Sequence, residues 1–456
     1  MEAPLPAQQH APEPIGDLDD LLALFREAET PREAYRVGTE AEKFGLLAED
    51  LRPLPFEGER SVRGVLSWLA RERGWNEERE YAEGEVISLR RDAESITLEP
   101  AGQLELSGAP HESVHRTCAE FRGHIEELTA ISKELDLTWL SVGFHPFARH
   151  EDLPRVPKLR YGIMERYMPT RGPRSADMMR RTCTVQANLD YCDEDDAMRK
   201  LRVSLALQPV FTGMFANSPF YEGRIGEHLT ERGATWLQMD VDRSGILPFA
   251  WERDLGYRAY VEWALDVPMF MVKRGGRLIE NTGQSFRGFM TEGAGGERAT
   301  RADWEAHVNS LFPEARLKRT LEVRGADAQP NDLVCAVPAL WKGLLYDDQA
   351  LAAAESLIAP LDAETVQRAR PDIVTRGLRA RLGDREVQRW AEDVVDIARG
   401  GLQRQAVLNA RGEDETIHLA RLTTLLQAGQ TPADVALSRV RGRDDFARAV
   451  VEATRV

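Results

Sequence analysis

Strict alternation of polar and apolar residues across residues 181–191 (RTCTVQANLDY) constrains the fold of this chain more than any other feature. The polar side chains occupy the even-numbered positions Thr182, Thr184, Gln186, Asn188 and Asp190. A period of two predicts a β-strand that packs one face on a core and turns the other towards water or a ligand. Because this polar face carries no lysine or glutamate, it indicates either an ordinary half-exposed strand or the wall of a site.

Acidic residues recur in the same alternating pattern elsewhere in the chain. Short stretches predict further strands whose polar faces carry Glu40 and Glu42, Glu99, Glu105, and Glu322. If these strands are neighbours, they gather like charges, which is unfavourable without cations. Hard divalent cations prefer oxygen ligands, and Mg²⁺ usually binds a few carboxylates together with substrate phosphates. We therefore expect a magnesium site, with Lys318 and Arg324 beside Glu322 to neutralise phosphate.

The pattern of predicted elements favours an α+β fold, with a curved, largely antiparallel sheet wrapped by helices. We expect the concave polar face of this sheet to hold the site. Helices are predicted after Asp17 and Ser61, which are favourable N-caps, and after Pro110. Residues 148–180 are polar and rich in proline and arginine, and they predict a long loop that either holds ligands over the sheet or is a solvated basic loop.

The chain divides into three predicted parts. Residues 1–15 are proline-rich and lack the basic and apolar regions of a signal peptide, so we expect a disordered tail. Residues 16–348 contain all the acidic strands and form the predicted catalytic α+β domain. Residues 349–456 show amphipathic, alanine-rich helical patterns, which predict a helical C-terminal subdomain packed on the catalytic domain.

Composition excludes several classes of function. The formal net charge of −16 argues against binding to bulk nucleic acid or to an anionic membrane surface. An anionic substrate would therefore need a local basic pocket. No apolar run has the length of a membrane span, and four cysteines in 456 residues do not form a secreted disulfide framework. We expect a cytoplasmic protein without a membrane partner, either a monomer or a homodimer.

A short motif, His111-Glu112-Ser113-Val114-His115, fits the pattern HExxH. Within a helix, its two histidines would share one face and bind zinc, with the glutamate as a base. His111 follows Pro110 directly, so it would lie in the first turn of its helix, and no third ligand is marked clearly. The motif leaves a zinc hydrolase as an alternative to incidental histidines at a helix start.

Several longer segments together resemble one known family. They are VGTEAEKFG, LEPAGQLELSG, YMPTRGPRSADMMRRTCTVQANLDY, ALQPVFTGMFANSPF, DRSGILPF, WALDVPMF and FPEARLKRTLEVRGAD. In this order, from about Arg36 to Asp348, they resemble glutamate–cysteine ligases of the plant and proteobacterial type. A long ordered match of this kind is more specific than any single short motif.

The resemblance implies a glutamine-synthetase-like catalytic sheet and the ligation of L-glutamate to L-cysteine, with ATP as co-substrate and Mg²⁺ as cofactor. The implied metal ligands are Glu40, Glu42, Glu99, Glu105, Gln186 and Glu322. Lys318 and Arg324 fit the neutralisation of phosphate. The implied substrate-binding residues are Arg160, Met179, Thr182, Thr184, Arg232 and Arg243, although Arg243 equally fits a structural salt bridge. No residue stands out as the base for the amine proton.

Two further points stay open at the level of sequence. A related carboxylate–amine ligase would join glutamate to an amine other than cysteine. Some plant members of the resembled family carry redox-switch disulfides, and Cys118 and Cys335 lie where one such pair would fall. Asn281 occupies one expected position of the second plant pair, which therefore has no counterpart. Because Cys118 lies on the apolar side of its predicted helix, a buried reduced thiol is the alternative.

Overall fold

A computed structural model of the chain describes residues 14–81, 83–275 and 277–456. Its strands are β1 (Val37–Leu47), β2 (Asn76–Arg79), β3 (Val86–Arg91), β4 (Glu94–Leu98), β5 (Leu104–Ser107), β6 (Leu137–Leu140), β7 (Thr184–Leu189), β8 (Phe220–Tyr221), β9 (Arg224–Ile225), β10 (Ser244–Gly245), β11 (Val272–Arg274), β12 (Arg277–Ile279), β13 (Phe312–Pro313), β14 (Ala315–Leu317), β15 (Leu321–Asp327), β16 (Arg381–Leu382) and β17 (Arg385–Glu386).

The α-helices are α1 (Leu18–Arg26), α2 (Val62–Arg73), α3 (Val114–Leu135), α4 (Leu159–Tyr167), α5 (Ser175–Arg181), α6 (Glu194–Met214), α7 (Glu231–Trp236), α8 (Tyr257–Asp266), α9 (Phe286–Glu292), α10 (Arg301–Val308), α11 (Ala336–Leu345), α12 (Asp348–Ile358), α13 (Ala363–Arg376), α14 (Val387–Gln405), α15 (Ala420–Gln427), α16 (Pro432–Val440) and α17 (Phe446–Thr454). Short 3₁₀-helices span Arg32–Ala34, His150–Asp152, Met168–Thr170, Pro248–Trp251, Gly377–Arg379 and Glu415–Leu419.

A nine-stranded antiparallel sheet organises the part of the chain that the structure describes. Its order is β14-β15-β7-β1-β5-β4-β3-β2, and β6 pairs with the far end of β1. The long strand β1 lies between β5 and β7 and pairs antiparallel with both. This architecture confirms the predicted α+β class with a largely antiparallel sheet.

Helices cover the sheet and enclose one continuous apolar core. α2 packs on β3, α3 on β1 and β6, α6 on β15, and α11 on β7. Leu104, Leu106, Val185 and Leu189 project from the strands into this core. Burial of each such side chain contributes about 1.5–3 kcal/mol, so this face sets the register of the strands. The opposite, polar faces of the same strands are thereby held side by side.

The C-terminal helices join the same core. α12, α13 and α14 pack on α6, and α14 also packs on α11. Apolar residues of these helices, such as Val366 and Leu402, belong to the cluster that contains the sheet side chains. The helical character predicted after residue 348 is present, and α17 extends it beyond the predicted helices. The division into subdomains at residue 348 stays a prediction.

Local helix signals in the sequence work as expected near the N-terminus. Asp17 caps α1 by accepting a hydrogen bond from the backbone N–H of Asp19. Ser61 caps α2 by accepting one from the N–H of Gly64, at 3.0 Å. Gly74 ends α2 with φ of 71°, in the left-handed region that glycine adopts without strain.

Tertiary contacts overturn three local predictions. α3 begins at Val114 rather than after Pro110, because His111 is held in an extended bridge to Val37 and Ser113 caps the helix. The predicted loop 148–180 contains α4 and α5, whose side chains Tyr161 and Met179 are buried. The stretch that predicts one strand over residues 317–327 is a hairpin, in which a turn separates β14 from β15.

Most of the predicted disordered tail, residues 1–13, lies outside the described residues. Its last two residues are ordered, because Pro14 pairs with Thr300 and the N–H of Ile15 donates to the carbonyl of Ala299 at 3.1 Å. Among the described helices, none combines the length and the apolar composition needed to cross a membrane.

Candidate active site

The acidic strands are neighbours in the sheet, and their registers bring the predicted polar positions together. Glu42 on β1 lies directly opposite Glu105 on β5, and Glu40 lies opposite Gln186 on β7. Side chains at opposed positions of antiparallel strands have Cβ atoms about 4.5–5.5 Å apart. Three carboxylates and an amide therefore share one small area of the polar face.

A cavity of about 720 Å³ lies over this polar face. Its acidic lining consists of Glu40, Glu42, Glu80, Glu99 and Glu105. Its basic lining includes Arg160, Arg232, Arg316 and Arg324. Its apolar lining includes Met164, Met178, Met179, Trp236, Phe270 and Phe312. A volume of this size accommodates small-molecule ligands, and the charged groups supply specificity.

Burial and mutual repulsion raise the proton affinity of the carboxylates in the cavity. Burial, followed by the charges of Glu99 and Glu105, raises the pKa of Glu42 well above its usual range. Burial and the charge of Glu99 also raise the pKa of Glu105. Burial, and next the charge of Glu322, raises the pKa of Glu40 to about 7. A bound cation would relieve this crowding.

These residues fit a hard divalent cation by their donor chemistry. Carboxylate and amide oxygens are the ligands that Mg²⁺ prefers. Glu105 is oriented by Thr97 and Ser107, whose hydroxyls donate to its Oε1 at 3.0 and 2.6 Å. Within the described residues, no three of these carboxylates bring oxygens within 4.8 Å of one another. Their side chains would therefore have to move closer together to bind one cation.

Glu322 occupies a different setting from the other predicted metal ligands. Its side chain is fully buried and pairs with Arg316 at 2.7 Å, with Lys318 at 2.5 Å and with Arg324. Although burial alone would raise its pKa, the three cations hold the pKa of Glu322 well below its usual range. Glu322 and Lys318 lie outside the cavity lining, whereas Arg316 and Arg324 belong to it. Glu322 thus fixes the cations that form the basic side of the cavity.

Arg316 was missed by the sequence reasoning. It lies directly opposite Glu322 across the β14–β15 hairpin, and two of its hydrogen bonds go to that carboxylate, at 2.9 and 2.7 Å. The signal for it was the short segment between Leu317 and Leu321, which is compatible with a tight turn. With the turn recognised, the register follows and places Arg316 beside Glu322.

The remaining basic residues of the cavity are held by neighbours of both kinds. Arg324 donates to Gln186 Oε1 at 3.0 Å and lies over the ring of Trp236. Arg232 donates to the carbonyl of Arg324 at 2.8 Å, and burial lowers its pKa. A buried arginine with few protein acceptors is suited to an anionic ligand. The local basic pocket expected for this acidic chain is therefore present.

Residues of the β7 segment line the cavity beside the acidic face. The backbone N–H of Thr184 donates to Glu42 Oε2 at 3.0 Å, and the Thr182 hydroxyl donates to the carbonyl of Met178 at 2.6 Å. Gln103, on the same predicted polar face as Glu105, donates to the carbonyls of Met179 and Thr182. The structure thus brings Met179, Thr182 and Thr184 together at the cavity, as well as Arg160.

Arg243 is a correction to the predicted substrate-binding set. Its side chain is fully buried, donates to Asp240 Oδ2 at 2.8 Å and to the carbonyl of Pro268 at 2.7 Å, and lies 4.0 Å from the ring centroid of Phe270. It is not among the residues that line the cavity. Its donors are committed to structural partners, which is the alternative that the sequence had left open.

The HExxH motif does not form a zinc site. His111 precedes α3, so the helical spacing that would place both histidines on one face is absent. His111 Nε2 lies 3.2 Å from Glu120 Oε1, whereas His115 contacts the carbonyl of Val407 and the ring of His418. The two histidines therefore have separate partners, and this geometry gives the hydrolase alternative no support.

Cys118 on α3 and Cys335 at the start of α11 form a disulfide, with a Cα–Cα distance of 5.9 Å. The other two cysteines, Cys183 and Cys192, are free. The structure therefore brings together the pair that the family resemblance implied, and its redox role stays a prediction.

Fold and site together define a class of protein, an enzyme whose active-site cavity lies on a large antiparallel sheet. In this cavity, oxygen donors suited to a cation lie with arginines suited to an anionic substrate. The chain belongs to glutamate–cysteine ligase family 2, whose family model matches residues 36–453.

Proteins similar to this chain agree with that assignment. The chain is 42% identical to the chloroplastic glutamate–cysteine ligase B of Oryza sativa subsp. japonica, over 92% of this chain and 83% of that protein. It is 41% identical to the chloroplastic glutamate–cysteine ligase of Arabidopsis thaliana, over 93% of this chain and 80% of that protein. The fold is similar to the crystal structure of glutamate–cysteine ligase from Francisella tularensis in complex with AMP, with a TM-score of 0.55, 13% identity, and coverage of 92% of this chain and 87% of that one.

These relatives also correct one prediction. The cytoplasmic location expected from the sequence is contradicted, because the relatives with about 41–42% identity are chloroplastic enzymes. The expectation rested on the lack of a recognisable signal pattern, and such a lack does not identify a compartment.

Proposed function

We propose that this protein ligates the γ-carboxylate of L-glutamate to the amine of L-cysteine at the expense of ATP, the first step of glutathione biosynthesis. The observation that supports this most is that one cavity brings the Glu42–Glu105 pair together with Arg316 and Arg324. A nucleoside triphosphate with its cation requires oxygen donors for the cation and basic side chains for the phosphates. The identity of the substrates is inferred from membership of the ligase family.

The proposed reaction has two steps. The γ-carboxylate of glutamate attacks the terminal phosphorus of ATP, and the bond from that phosphorus to the bridging oxygen breaks. ADP departs, and the glutamate is now a γ-glutamyl phosphate, an acyl phosphate. The amine of cysteine then attacks the acyl carbon, phosphate departs, and the amine loses a proton. Phosphorylation is needed because a free carboxylate is a poor acyl donor. Phosphoryl transfer depends on positioning and charge neutralisation more than on covalent participation of the protein.

The protein's own residues divide these tasks. Glu40, Glu42, Glu99, Glu105 and Gln186 would hold Mg²⁺, which when bound neutralises and orients the phosphates. Arg324 and Arg316 present positive charge to the cavity. Lys318 lies outside the cavity lining and forms an ion pair with Glu322, as both arginines do. Neutralising the phosphate oxygens lowers the cost of bringing the anionic carboxylate of glutamate to them.

Recognition of the amino acids is proposed for the other wall. Arg160 and Arg232 provide guanidinium groups for α-carboxylates, which they can bind through two parallel hydrogen bonds. Met179 supplies an apolar, polarisable surface, and Thr182 and Thr184 also line the cavity.

The test is release of ADP from ATP by the purified protein with Mg²⁺, glutamate and a panel of amines: cysteine, 2-aminobutyrate, alanine, glycine and ammonia. We expect ADP and phosphate to form only when glutamate and an acceptor are both present, with cysteine best and one γ-glutamyl product per ADP. A different preferred amine would identify the related carboxylate–amine ligase. Peptide or ester hydrolysis without nucleotide would contradict the proposal.

A further inference from the structure

A cluster of two cysteines and two histidines lies at a place that the proposed ligase reaction does not use. Cys118, Cys335 and His418 bring one sulfur or nitrogen ligand atom each within 4.8 Å of the others. In residues 14–456, apart from 82 and 276, they are the one group of three such side chains with ligand atoms this close. None of them lines the cavity over the sheet.

Hydrogen bonds fix the orientation of both histidine rings in this cluster. His115 Nε2 lies 3.3 Å from the carbonyl oxygen of Val407, which only accepts, so in the neutral imidazole Nε2 carries the proton and Nδ1 of His115 is an acceptor. His418 Nε2 lies 3.0 Å from that Nδ1 and must therefore donate to it. The lone pair of His418 Nδ1 is left facing Cys118 Sγ, at 3.4 Å.

This arrangement is the one that metal-binding histidines adopt. One ring nitrogen of such a histidine binds the ion, and the other donates to an acceptor that fixes the tautomer and the ring. Burial, with the charges of His115 and Arg122, lowers the pKa of His418 to about 4, so the ring is neutral at neutral pH. While the disulfide is intact, the lone pair faces a sulfur that has no proton to donate.

We propose that, once the Cys118–Cys335 disulfide is reduced, the two sulfurs and His418 Nδ1 bind one Zn²⁺ ion. Zinc–sulfur distances of ~2.3 Å and zinc–nitrogen distances of ~2.0–2.1 Å place sulfur and nitrogen ~3.5 Å apart in a tetrahedron, and the sulfurs ~3.8 Å apart. The contact between Cys118 Sγ and His418 Nδ1, 3.4 Å, is already close to that value. Water would complete the fourth position.

The chemistry of this site balances with a dithiol as reductant. The dithiol gives two electrons and two protons to the disulfide, which becomes two thiols, and is itself oxidised to a disulfide. Zinc then binds both sulfurs as thiolates and releases the two protons to solvent. The ion joins α3 and the N-cap of α11 to the 3₁₀-helix Glu415–Leu419, whereas the disulfide joins only the first two. Zinc thus protects the reduced pair from reoxidation and adds a third anchor.

The experiment uses the full-length protein, reduced with dithiothreitol and freed of it by desalting without oxygen. Zn²⁺ is titrated in competition with a chromophoric chelator, and Co²⁺ serves as a spectroscopic probe of the ligands. We expect one ion per reduced chain, with a thiolate-to-cobalt charge-transfer band and the intense visible bands of tetrahedral cobalt. Oxidised protein should show neither band, although carboxylates of the cavity can still bind either ion weakly.

Variants separate this site from incidental metal binding. Cys335→Ser should abolish the charge-transfer band. His115→Ala removes the partner that orients His418, so it should weaken zinc binding ~10–100-fold. His418→Ala removes a ligand itself and should weaken zinc binding at least as much. His228→Ala, a matched change at a partly exposed histidine bonded to Thr375, should leave affinity unchanged.

Two outcomes would overturn the site. One is reduced wild-type protein that binds Co²⁺ without a charge-transfer band. The other is a His418→Ala variant, shown by circular dichroism to be folded, that binds zinc as tightly as wild type. If a variant fails to fold, the comparison of reduced with oxidised wild-type protein decides alone. Ligase activity is not a readout here, so this test is independent of the proposed function.

Discussion

Glu105 is the residue on which the magnesium proposal is best tested. It lies opposite Glu42, lines the cavity, and accepts hydrogen bonds from Thr97 and Ser107. Glu105→Gln keeps the volume and one oxygen acceptor but removes the charge. Loss of a group that supports a metal ligand typically costs ~10–100-fold, so loss of a ligand's charge should reduce ligase activity at low Mg²⁺ by at least that much. Higher Mg²⁺ should recover part of the loss by mass action.

Glu78→Gln is the matched control for this change. Glu78 lies on β2 of the same sheet, pairs with Arg90 and is not part of the cavity lining. It should leave the dependence of activity on Mg²⁺ unchanged. The free energy of unfolding of Glu105→Gln without metal should equal or slightly exceed that of wild type, because a repulsion between carboxylates is relieved. Wild-type activity of Glu105→Gln at limiting Mg²⁺ would show that the acidic face is only a polar surface.

At the scale of elements, α3 shows where a local pattern stops being sufficient. Its start also depends on a residue about three hundred positions away, because Glu415 accepts from the N–H of Val114 at 2.6 Å and from Lys342 Nζ at 2.6 Å. Glu415 and Lys342 are both buried. Glu415→Gln leaves the ammonium of Lys342 without its counter-ion, and breaking a buried pair in this way should lower the free energy of unfolding by about 3–5 kcal/mol.

The double variant Glu415→Leu/Lys342→Met removes both charges and should cost less than Glu415→Gln alone. The surface pair of Glu364 and Arg368 on α13 is the control, because both side chains are largely exposed and Glu364→Gln should leave stability unchanged. Urea unfolding of the four proteins measures these differences. A double variant that is less stable than the single one would mean that the pair is a net source of stability.

Strands and capped helices were predictable because their signals are local. β1, β5, β7 and the caps at Asp17 and Ser61 follow from periodicity and cap chemistry. The starts of α3 and of β7 did not follow, because a bridge to Val37 and the helix α5 compete for the same residues. Polar positions on strands were thus easier to predict than the boundaries of the elements that carry them.

At the scale of the whole molecule, the sequence indicated which acidic residues share a face but not how the strands are ordered. That order, with β1 between β5 and β7, depends on packing across hundreds of residues. The family resemblance supplied the site residues that periodicity alone left open, and it also included Arg243, which the structure assigns to a buried ion pair. Arg316, whose role depends on the turn between β14 and β15, carried no local pattern.

Buried neutral histidines link the stability of the whole molecule to pH. His145 accepts hydrogen bonds at Nδ1 from the N–H groups of Ala148, at 2.9 Å, and Phe147, at 3.3 Å. Burial, with the charge of Arg181, lowers its pKa from 6.5 to about 3. Between these two values the unfolded chain binds a proton that the folded chain does not, so the stability contributed by neutral His145 is present above pH 6.5 and is lost as the pH falls towards 3.

We therefore expect His145→Gln, which retains an acceptor but does not titrate, to show a smaller loss of stability on acidification than wild type. For one buried histidine the difference between about pH 7.5 and about pH 5.5 amounts to about 1.4 kcal/mol. Urea unfolding of both proteins at the two pH values measures it, and the contributions of other titrating groups cancel. His228→Gln, at a partly exposed histidine, should keep the wild-type dependence. Equal acid sensitivity in His145→Gln and wild type would mean that His145 is protonated in the folded protein, and its hydrogen bonds from Phe147 and Ala148 would then have to break.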